Sequence, residues 1–256
     1  MTHPWETLVL GLAVFCALWP VSVALRDVSI VDILWAPAFA ILGWAVVLLD
    51  NGTGMRGLLA LGLASAWGVR LGLHVFLRWR KKGKEDYRYA TIRGKFRHFP
   101  VQSLAVIFCF QGFLAWVISW PLQAAISAHT ALNLLDGIGM AMTLAGILIE
   151  GFADAQLKAF LAQPGHQDRV LDTGLWRFTR HPNYFGDFLI WWGFFLTGMA
   201  AGAPWWMILS PLTMSALLIH YSGAGLLEDT IAGRRPAYKD YVRRTSFFFP
   251  WRPAPR

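Results

Sequence analysis

The sequence predicts an all-helical protein that crosses a membrane about seven times. Three observations predict this fold class: an excess of apolar residues, apolar stretches of bilayer length, and basic residues concentrated in alternate loops. Of the 256 residues, 56% are hydrophobic and only 15% are charged. A soluble domain usually carries about 25% charged residues. The surplus apolar surface needs lipid to cover it, so we expect residues 1–256 to form a single membrane domain.

The apolar stretches have the length that a membrane span requires, which is about 20 residues. Seven such stretches lie at roughly 6–24, 28–49, 57–78, 101–123, 133–156, 183–202 and 204–226. A tight turn at Gly202-Ala203-Pro204 separates the last two. The first stretch lacks the basic segment and the small-residue cleavage site of a signal peptide, so we expect it to stay as a helix.

The distribution of Lys and Arg predicts the orientation. A basic cytoplasmic loop is expected at 78–100, and further basic residues lie in 157–180 and after 227. In the opposite loops, 50–56 and 124–132, the one Lys or Arg residue is Arg56. Cytoplasmic loops are enriched in Lys and Arg. We therefore expect an N-terminus outside, a C-terminus in the cytoplasm, and a bacterial inner-membrane location.

The net charge of +8 fits this topology and an attraction to anionic lipids, and we expect no nucleic-acid partner. The two cysteines, Cys16 and Cys109, both lie inside apolar stretches. We expect neither a metal site nor a disulfide from them.

Ionisable residues at membrane depth are costly and therefore mark candidate sites. Asp32 lies three residues before Trp35, so the two share a helix face. The alternative for Asp32 is a charge that favours a helix N-terminus. Gln111-Gly112 lies in the middle of the fourth stretch. A buried amide needs a partner, and a ligand contact or a hydrogen bond between helices would satisfy it equally well.

The densest polar group runs from Asp154 to Asp187. Lys158 follows Asp154 by four residues, so both can face one direction on a helix. The sixth stretch then opens with a run of polar residues: Arg177, Arg180, His181, Asn183, Tyr184 and Asp187. Helix N-termini bind anions, and Arg forms paired hydrogen bonds with phosphate. A plain cytoplasmic anchor would explain the Arg residues, but not the neighbouring amide, phenol and carboxylate.

The basic loop also contains Tyr87 and Tyr89. One reading is a patch that meets lipid headgroups. The other is a lid over an anionic cofactor, with a tyrosine that donates a hydrogen bond. The sequence leaves both readings open.

Several segments of the sequence resemble a known protein family. The stretch TGLWRFTRHPNYFGD at 173–187 resembles the C-terminal domain of the steroid 5α-reductase superfamily, in particular its uncharacterised bacterial membrane branch. Four further segments resemble that branch: VDILWAP at 31–37, WGVRLG at 67–72, EDYRY at 85–89 and YVRRTSF at 241–247. The resemblance covers roughly residues 28–250.

The resemblance implies a seven-helix fold and NADPH bound on the cytoplasmic side, in a cofactor region at 133–250. By motif, the residues lining the cofactor are Asp154, Asn183, Tyr184 and Asp187. Arg177, Arg180 and His181 lie in the same motif, near the expected phosphates. Lys158, Arg169 and Tyr241 are further candidates.

One departure from the family pattern concerns the substrate. Steroid-reducing members carry a Gln-Glu pair on the second helix and a Tyr on the third, where this chain has Leu34, Trp35 and Trp67. The substitutes for the carbonyl-polarising groups are Asp32, Tyr87 and Tyr89. Trp35, Trp67 and Gln111 are expected to line the substrate.

The predicted reaction is NADPH-dependent reduction of a carbon–carbon double bond conjugated to a carbonyl, in a steroid- or lipid-like enone. A protonated Asp32, or one of the two tyrosines, would stabilise the developing enolate. We expect a monomer surrounded by membrane lipids.

Two alternatives remain. Arg-His-Pro-x-Tyr followed by an acidic pair, here Glu228-Asp229, resembles S-adenosylmethionine-dependent methyltransferases of the isoprenylcysteine and phospholipid type. A non-catalytic lipid-binding or assembly protein is the third reading.

Overall fold

The computed structural model describes residues 2–221 and 236–254, and most of these residues are helical. The α-helices are α1 (Pro4–Leu25), α2 (Val31–Leu49), α3 (Met55–Lys82), α4 (Tyr87–Arg93), α5 (Phe99–Ser103), α6 (Phe110–Ile118), α7 (Trp120–Ser127), α8 (Leu134–Leu161), α9 (Pro182–Ala200), α10 (Leu209–Ala216) and α11 (Pro236–Arg244). Among the described residues, Leu104–Cys109 and Leu217–Tyr221 are π-helical. Within the described residues no β-strand forms, so the predicted fold class is confirmed as all-helical.

In the described part of the chain, five helical segments are long and apolar enough to cross a membrane. They are Pro4–Leu25, Val28–Leu49, Met55–Lys82, Phe99–Ile118 and Leu134–Leu161. They coincide with the first five predicted spans, and they indicate a multi-pass membrane protein. The sixth predicted span corresponds to α9, and the seventh begins in the shorter apolar helix Trp205–His220 and ends outside the described residues.

The predicted basic loop at 78–100 is partly helical. Helix α3 continues through Trp79 to Lys82, and α4 occupies Tyr87–Arg93. Gly83 ends α3 with a φ of 62°, a left-handed conformation that glycine adopts without steric cost. The basic side chains therefore lie on short, ordered elements.

The described chain divides into two compact units. The first comprises Met1–Asp136 and Thr197–Met207, and the second comprises Gly137–Leu196 and Ile208–Arg256. The polar residues singled out in the sequence divide between them, those before residue 112 in the first unit and those after residue 153 in the second.

Glycines allow close helix contacts in the first unit. A Cβ atom on Gly112 would lie 2.9 Å from the carbonyl oxygen of Gly11, so α1 and α6 cross with their backbones in contact. A Cβ on Gly72 would lie 2.7 Å from Pro37 Cγ, which brings α3 equally close to α2. Small residues at crossings permit such approach in membrane proteins. The core between these helices is aromatic, and includes the fully buried Phe39 and Trp67.

Arg56, the one Lys or Arg residue of the predicted opposite loops, lies in the first turn of α3 and is buried. Its guanidinium donates hydrogen bonds to Asp136 at 2.7 and 2.9 Å and to Thr130 Oγ1 at 2.6 Å. Only 1% of Arg56 is exposed. Its charge is therefore neutralised inside the first unit and does not count as a free loop charge.

Close contact between α8 and α9 organises the second unit. A Cβ on Gly186 would lie 2.6 Å from both Gly146 O and Glu150 N, both of them backbone atoms. The segment after α11 folds back onto the residues before α9. Arg180 N donates to Ser246 O at 2.9 Å, and Thr179 Oγ1 donates to Phe248 O at 2.8 Å. The start of α9 is thus held from two sides.

Candidate functional site

In the first unit, residues distant in sequence meet around Asp32. The Tyr89 hydroxyl donates to Asp32 Oδ1 at 2.5 Å, and Arg88 Nη2 donates to Asp32 Oδ2 at 2.8 Å. Gln111 Nε2 donates to the Tyr89 oxygen at 3.1 Å. We call these four residues, Asp32, Arg88, Tyr89 and Gln111, the Asp32 cluster. It joins α2, α4 and α6 through one continuous hydrogen-bond network.

The start of α4 is fixed by its N-cap, Asp86. The Asp86 carboxylate accepts from Arg88 N at 3.1 Å, from Arg88 Nε at 3.0 Å and from Lys82 Nζ at 3.0 Å. An aspartate N-cap satisfies an otherwise free backbone N–H of the first turn. Because α4 starts there, the consecutive residues Arg88 and Tyr89 are both directed to Asp32.

A π-helical segment precedes Gln111. Leu104–Cys109 is π-helical, and α6 resumes at Phe110. Such segments change the helix face that later side chains occupy, and they are frequent at functional sites. Gln111 Oε1 is buried and has no hydrogen-bond partner among the described residues. The amide therefore retains one free acceptor beside the Asp32 cluster.

The surroundings of Tyr89 favour its protonated form. Burial, and then the charge of Asp32, raise the pKa of Tyr89 well above its ordinary value, since both disfavour the phenolate. Tyr89 is therefore a phenol at neutral pH. Asp32 accepts on both oxygens, one bond coming from a guanidinium, which is the arrangement of a carboxylate acceptor. Tyr89 is the hydrogen-bond donor in this pair, and Asp32 accepts from it.

Ion pairs with Arg88 and Lys82 lower the pKa of Asp86. Burial alone would raise the pKa of Asp86, but the Arg88 guanidinium, the Arg88 backbone N–H and the Lys82 ammonium outweigh burial. Together they lower the pKa of Asp86 to about 2. The N-cap of α4 is thus a charged carboxylate across the physiological range.

A second set of contacts ties the predicted lid to the chain before α2. Glu85 accepts from Val28 N at 2.9 Å and from Arg93 at 2.7 and 3.0 Å. Asp27 accepts from Trp79 Nε1 at 2.8 Å. A cleft opens beside these contacts, lined by Ser29, Asp32, Val75, Arg78, Trp79, Lys82 and Asp86. Asp32 therefore borders both the buried network and an open cleft.

The other predicted residues of the first unit lie in different surroundings. Tyr87 is 42% exposed and lies outside the hydrogen bonds of the Asp32 cluster. Trp35 packs edge-on against Phe39, with ring centroids 5.6 Å apart. Trp67 is fully buried and also contacts Phe39. Trp67 thus lies in the helix core, whereas Trp35 is partly exposed on the face that carries Asp32.

Sequence reasoning did not select Arg88 as a site residue. It treated the basic side chains of 78–97 as one group, although Arg88 differs from the others in standing between two tyrosines and after Asp86. That neighbourhood was the available signal, since a cation within a short Asp-Tyr-Arg-Tyr motif has polar partners at hand.

In the second unit, the predicted cofactor residues gather at the start of α9. Asn183 Nδ2 donates to Asp154 Oδ1 at 3.2 Å, which joins α9 to α8. The His181 ring stacks on Tyr184, with ring centroids 5.7 Å apart and planes 11° apart. Asp154, His181 and Asp187 are buried. We call these five residues, Asp154, His181, Asn183, Tyr184 and Asp187, the α9 cluster.

Arg180 and Tyr241 fasten the C-terminal segment beside the α9 cluster. Arg180 Nη1 donates to Val242 O at 2.8 Å, and its guanidinium lies over the Phe247 ring at 5.4 Å. The Tyr241 hydroxyl donates to Trp176 O at 2.5 Å. Both side chains are buried. These contacts hold the C-terminal segment against the residues that precede α9.

The remaining predicted cations are exposed. Lys158, Arg169 and Arg177 all lie on the surface of the second unit, and Arg169 Nη1 donates to Gln163 Oε1 at 3.1 Å. Exposed cations suit the phosphates of a ligand that remains partly in solvent. The acidic pair Glu228-Asp229, on which the methyltransferase alternative depends, lies outside the described residues.

The α9 cluster brings together hydrogen-bonding groups and an aromatic surface. Two buried carboxylates suit ribose hydroxyl groups, and Asn183 offers an amide for a carboxamide. Tyr184 and His181 present a stacked aromatic surface. The exposed cations nearby suit the phosphates.

Comparison with known proteins identifies the family. Residues 18–245 match the family described as "Protein of unknown function (DUF1295)". The chain belongs to the DUF1295 family. A relative from the yeast Schizosaccharomyces pombe, "Uncharacterized protein C594.04c", is 26% identical over 278 residues, which cover 97% of this chain and 80% of the relative. No solved structure matches the chain significantly. The part matched by DUF1295 contains both the Asp32 cluster and the α9 cluster.

Proposed function

We propose that this protein is a membrane-embedded, NADPH-dependent reductase of the steroid 5α-reductase superfamily, acting on a lipid-like enone. The reaction saturates a carbon–carbon double bond conjugated to a carbonyl. The observation that carries the proposal is the buried Tyr89 phenol, bonded to Asp32 at 2.5 Å and to Gln111 at 3.1 Å. A buried phenol that keeps its proton is a suitable donor to a carbonyl oxygen.

The chain's own residues would act on the substrate carbonyl. Negative charge develops on that oxygen during the reduction, and a preorganised donor at that position lowers the barrier. Tyr89 supplies this donor by turning its hydroxyl from Asp32 to the substrate. Arg88 holds the Asp32 carboxylate on its other oxygen at 2.8 Å, so the network keeps its geometry while the Tyr89 proton is shared.

The α9 cluster would hold the cofactor. Asp154 and Asp187 would meet ribose hydroxyls, Asn183 the carboxamide, and Tyr184 the aromatic ring, while the exposed Arg177 would meet phosphate. NADPH supplies the hydride when bound. The resemblance of 173–187 to the steroid 5α-reductase superfamily supports this assignment. Leu34 and Trp35 replace the family's Gln-Glu pair, so we expect a substrate other than a 3-oxo steroid.

The proposal includes a topology of seven spans, with an external N-terminus and a cytoplasmic C-terminus in a bacterial inner membrane. The burial of Arg56 against Asp136 supports it, because the loops opposite the basic ones then present no free guanidinium or ammonium group. This orientation leaves residues 157–180 on the side where NADPH is available.

Thermal unfolding of the purified protein with NADPH, NADH and S-adenosylmethionine tests the proposal. A ligand that binds only the folded state raises its apparent stability, by about 2.7 kcal/mol at a hundredfold excess over Kd. We expect NADPH to raise the unfolding temperature and S-adenosylmethionine to leave it unchanged. A shift with S-adenosylmethionine alone would favour the methyltransferase, and no shift with any of the three would favour a non-catalytic lipid-binding protein.

A further inference from the structure

The only two cysteines of the chain are brought into contact. Cys16 lies in α1 and Cys109 ends the π-helical segment before α6, and their Sγ atoms are 3.4 Å apart. Both are free thiols, and 93 residues separate them in sequence. The apolar surroundings of each cysteine predicted no disulfide, and the sequence contained no sign that the two would meet.

The two cysteines lie near a close crossing of the helical segments that carry them. A disulfide requires Cα atoms about 4.4 to 6.8 Å apart, which few helix pairs allow at their crossings. Gly112 lies three residues after Cys109, and Gly11 lies five residues before Cys16. The contact between these two glycines holds the two backbones together. The sulfurs would need to approach by roughly 1.4 Å to reach bonding distance. Cys109 ends a π-helical segment, and such segments are rare and occur frequently at functional sites.

The surroundings define the class of oxidant. Cys16 lies near the middle of α1, a 22-residue apolar helix. Both thiols are partly exposed at the helix surface, where lipid rather than water would meet them. Glutathione is excluded from such a site by its charge, whereas a lipid-soluble oxidant reaches it from within the bilayer.

We propose that Cys16 and Cys109 form a redox-active dithiol that a lipid-soluble quinone oxidises to an intramolecular disulfide. Two S–H bonds break and one S–S bond forms. The two electrons and two protons pass to the quinone, which becomes the hydroquinone. The bond links α1 to the segment before α6, and Gln111 lies two residues beyond it. Oxidation would therefore restrain the segment that carries the amide of the Asp32 cluster.

The chain itself supplies a clean assay, since no other cysteine is present. The purified full-length protein is placed in phosphatidylcholine vesicles with or without decylubiquinone, then denatured and alkylated with a polyethylene-glycol maleimide that shifts its mobility on a gel. We expect two additions without the quinone and none with it, and both additions should return after treatment with dithiothreitol. One hydroquinone should form per protein, and mass spectrometry should find the peptides of Cys16 and Cys109 joined within a monomer.

The single variants Cys16→Ser and Cys109→Ser are the matched controls. Each should keep its remaining thiol open to alkylation in quinone-containing vesicles, and neither should produce hydroquinone. The inference is overturned if wild-type protein keeps both additions in the presence of quinone, or if the single variants lose theirs as well. The assay does not depend on reductase activity, so its result tests the dithiol proposal separately from the proposed function.

Discussion

Tyr87 and Tyr89 lie two positions apart on α4, yet only Tyr89 belongs to a buried network. Tyr89 is 7% exposed and bonds both Asp32 and Gln111, whereas Tyr87 is 42% exposed. One helical turn holds 3.6 residues, so side chains two positions apart point to nearly opposite sides. The pair therefore provides an internal comparison in which the same atom is removed from a buried and from an exposed phenol.

We predict that Tyr89→Phe destabilises the protein and that Tyr87→Phe does not. Leaving buried partners unsatisfied costs about 1–3 kcal/mol, and a surface change stays within about 0.5 kcal/mol. Chemical unfolding in detergent micelles measures both. Equal effects of the two substitutions would mean that the Asp32 cluster does not form as described.

Asp86 gives a pH dependence with a defined sign. Its pKa is lowered from 3.8 to about 2 in the folded protein, because Arg88 and Lys82 outweigh the effect of burial. A folded-state pKa below the unfolded one means that ionised Asp86 stabilises the fold above pH 3.8, and that this contribution is lost as the pH falls towards about 2.

We therefore expect the unfolding temperature of the wild type to fall more steeply between about pH 4 and about pH 2 than that of Asp86→Asn. Asparagine still caps α4 but cannot ionise. Thermal unfolding of the two proteins over this range measures the difference. Parallel curves for wild type and variant would contradict the assigned pKa.

Helices α8 and α9 meet through glycines, and this contact sets the register of the α9 cluster. A Cβ on Gly146 would lie 2.5 Å from Gly186 O and 2.8 Å from Ile190 Cγ1. Because backbone atoms form part of the contact, the helices would have to separate to admit a methyl group. Asp154 lies two turns further along α8, so separation would also disturb its bond to Asn183.

Gly146→Ala should destabilise the second unit by about 1–3 kcal/mol, the usual cost of overpacking. Gly137→Ala is the matched control on the same helix, because a Cβ there meets nothing within 4 Å. Alanine is the better helix former by about 1 kcal/mol, so that variant should be neutral or more stable. Chemical unfolding in detergent measures the free energies of unfolding of both variants. An unchanged free energy of unfolding in Gly146→Ala would contradict the close packing of α8 and α9.

The distribution of charge over the whole chain governs its orientation. The basic residues concentrate at 78–100, at 157–180 and after 227, whereas Arg56 is neutralised by Asp136. Lys81, in the last turn of α3, and His129, in the loop after α7, are both exposed. The proposed topology places them on opposite sides of the membrane.

Single reporter cysteines test this topology, in a background with Cys16→Ser and Cys109→Ser. In intact cells a membrane-impermeant maleimide should label His129→Cys. It should label Lys81→Cys only after the membrane is permeabilised, because the positive-inside rule places the basic loop in the cytoplasm. The reverse pattern would invert the orientation, and labelling of both from outside would reject it.

Hydropathy was sufficient to locate five helices long and apolar enough to cross a membrane, because lipid imposes the same requirement on every crossing helix. The α9 cluster was also foreseeable, since most of its members lie within a few residues of Pro182. The Asp32 cluster was not, because Asp32 and Tyr89 are 57 residues apart and their meeting depends on how α2, α4 and α6 pack. The same holds for Cys16 and Cys109, which a glycine crossing brings together. Periodicity and motif carry local information, whereas these contacts are set by tertiary packing.

The central claim is that the α9 cluster binds NADPH, and an equilibrium titration tests it most directly. NADPH is titrated into the purified wild type and into Asn183→Ala, with Tyr87→Phe in the first unit as a control and unfolding curves recorded for all three. We predict saturable binding to the wild type and to the control, with affinity reduced at least tenfold in Asn183→Ala. This variant should still unfold cooperatively, at a lower temperature than the wild type because Asp154 loses a hydrogen bond, so its binding is measured well below that temperature. Absence of NADPH binding to folded wild-type protein, or equal affinity in Asn183→Ala, would contradict the claim.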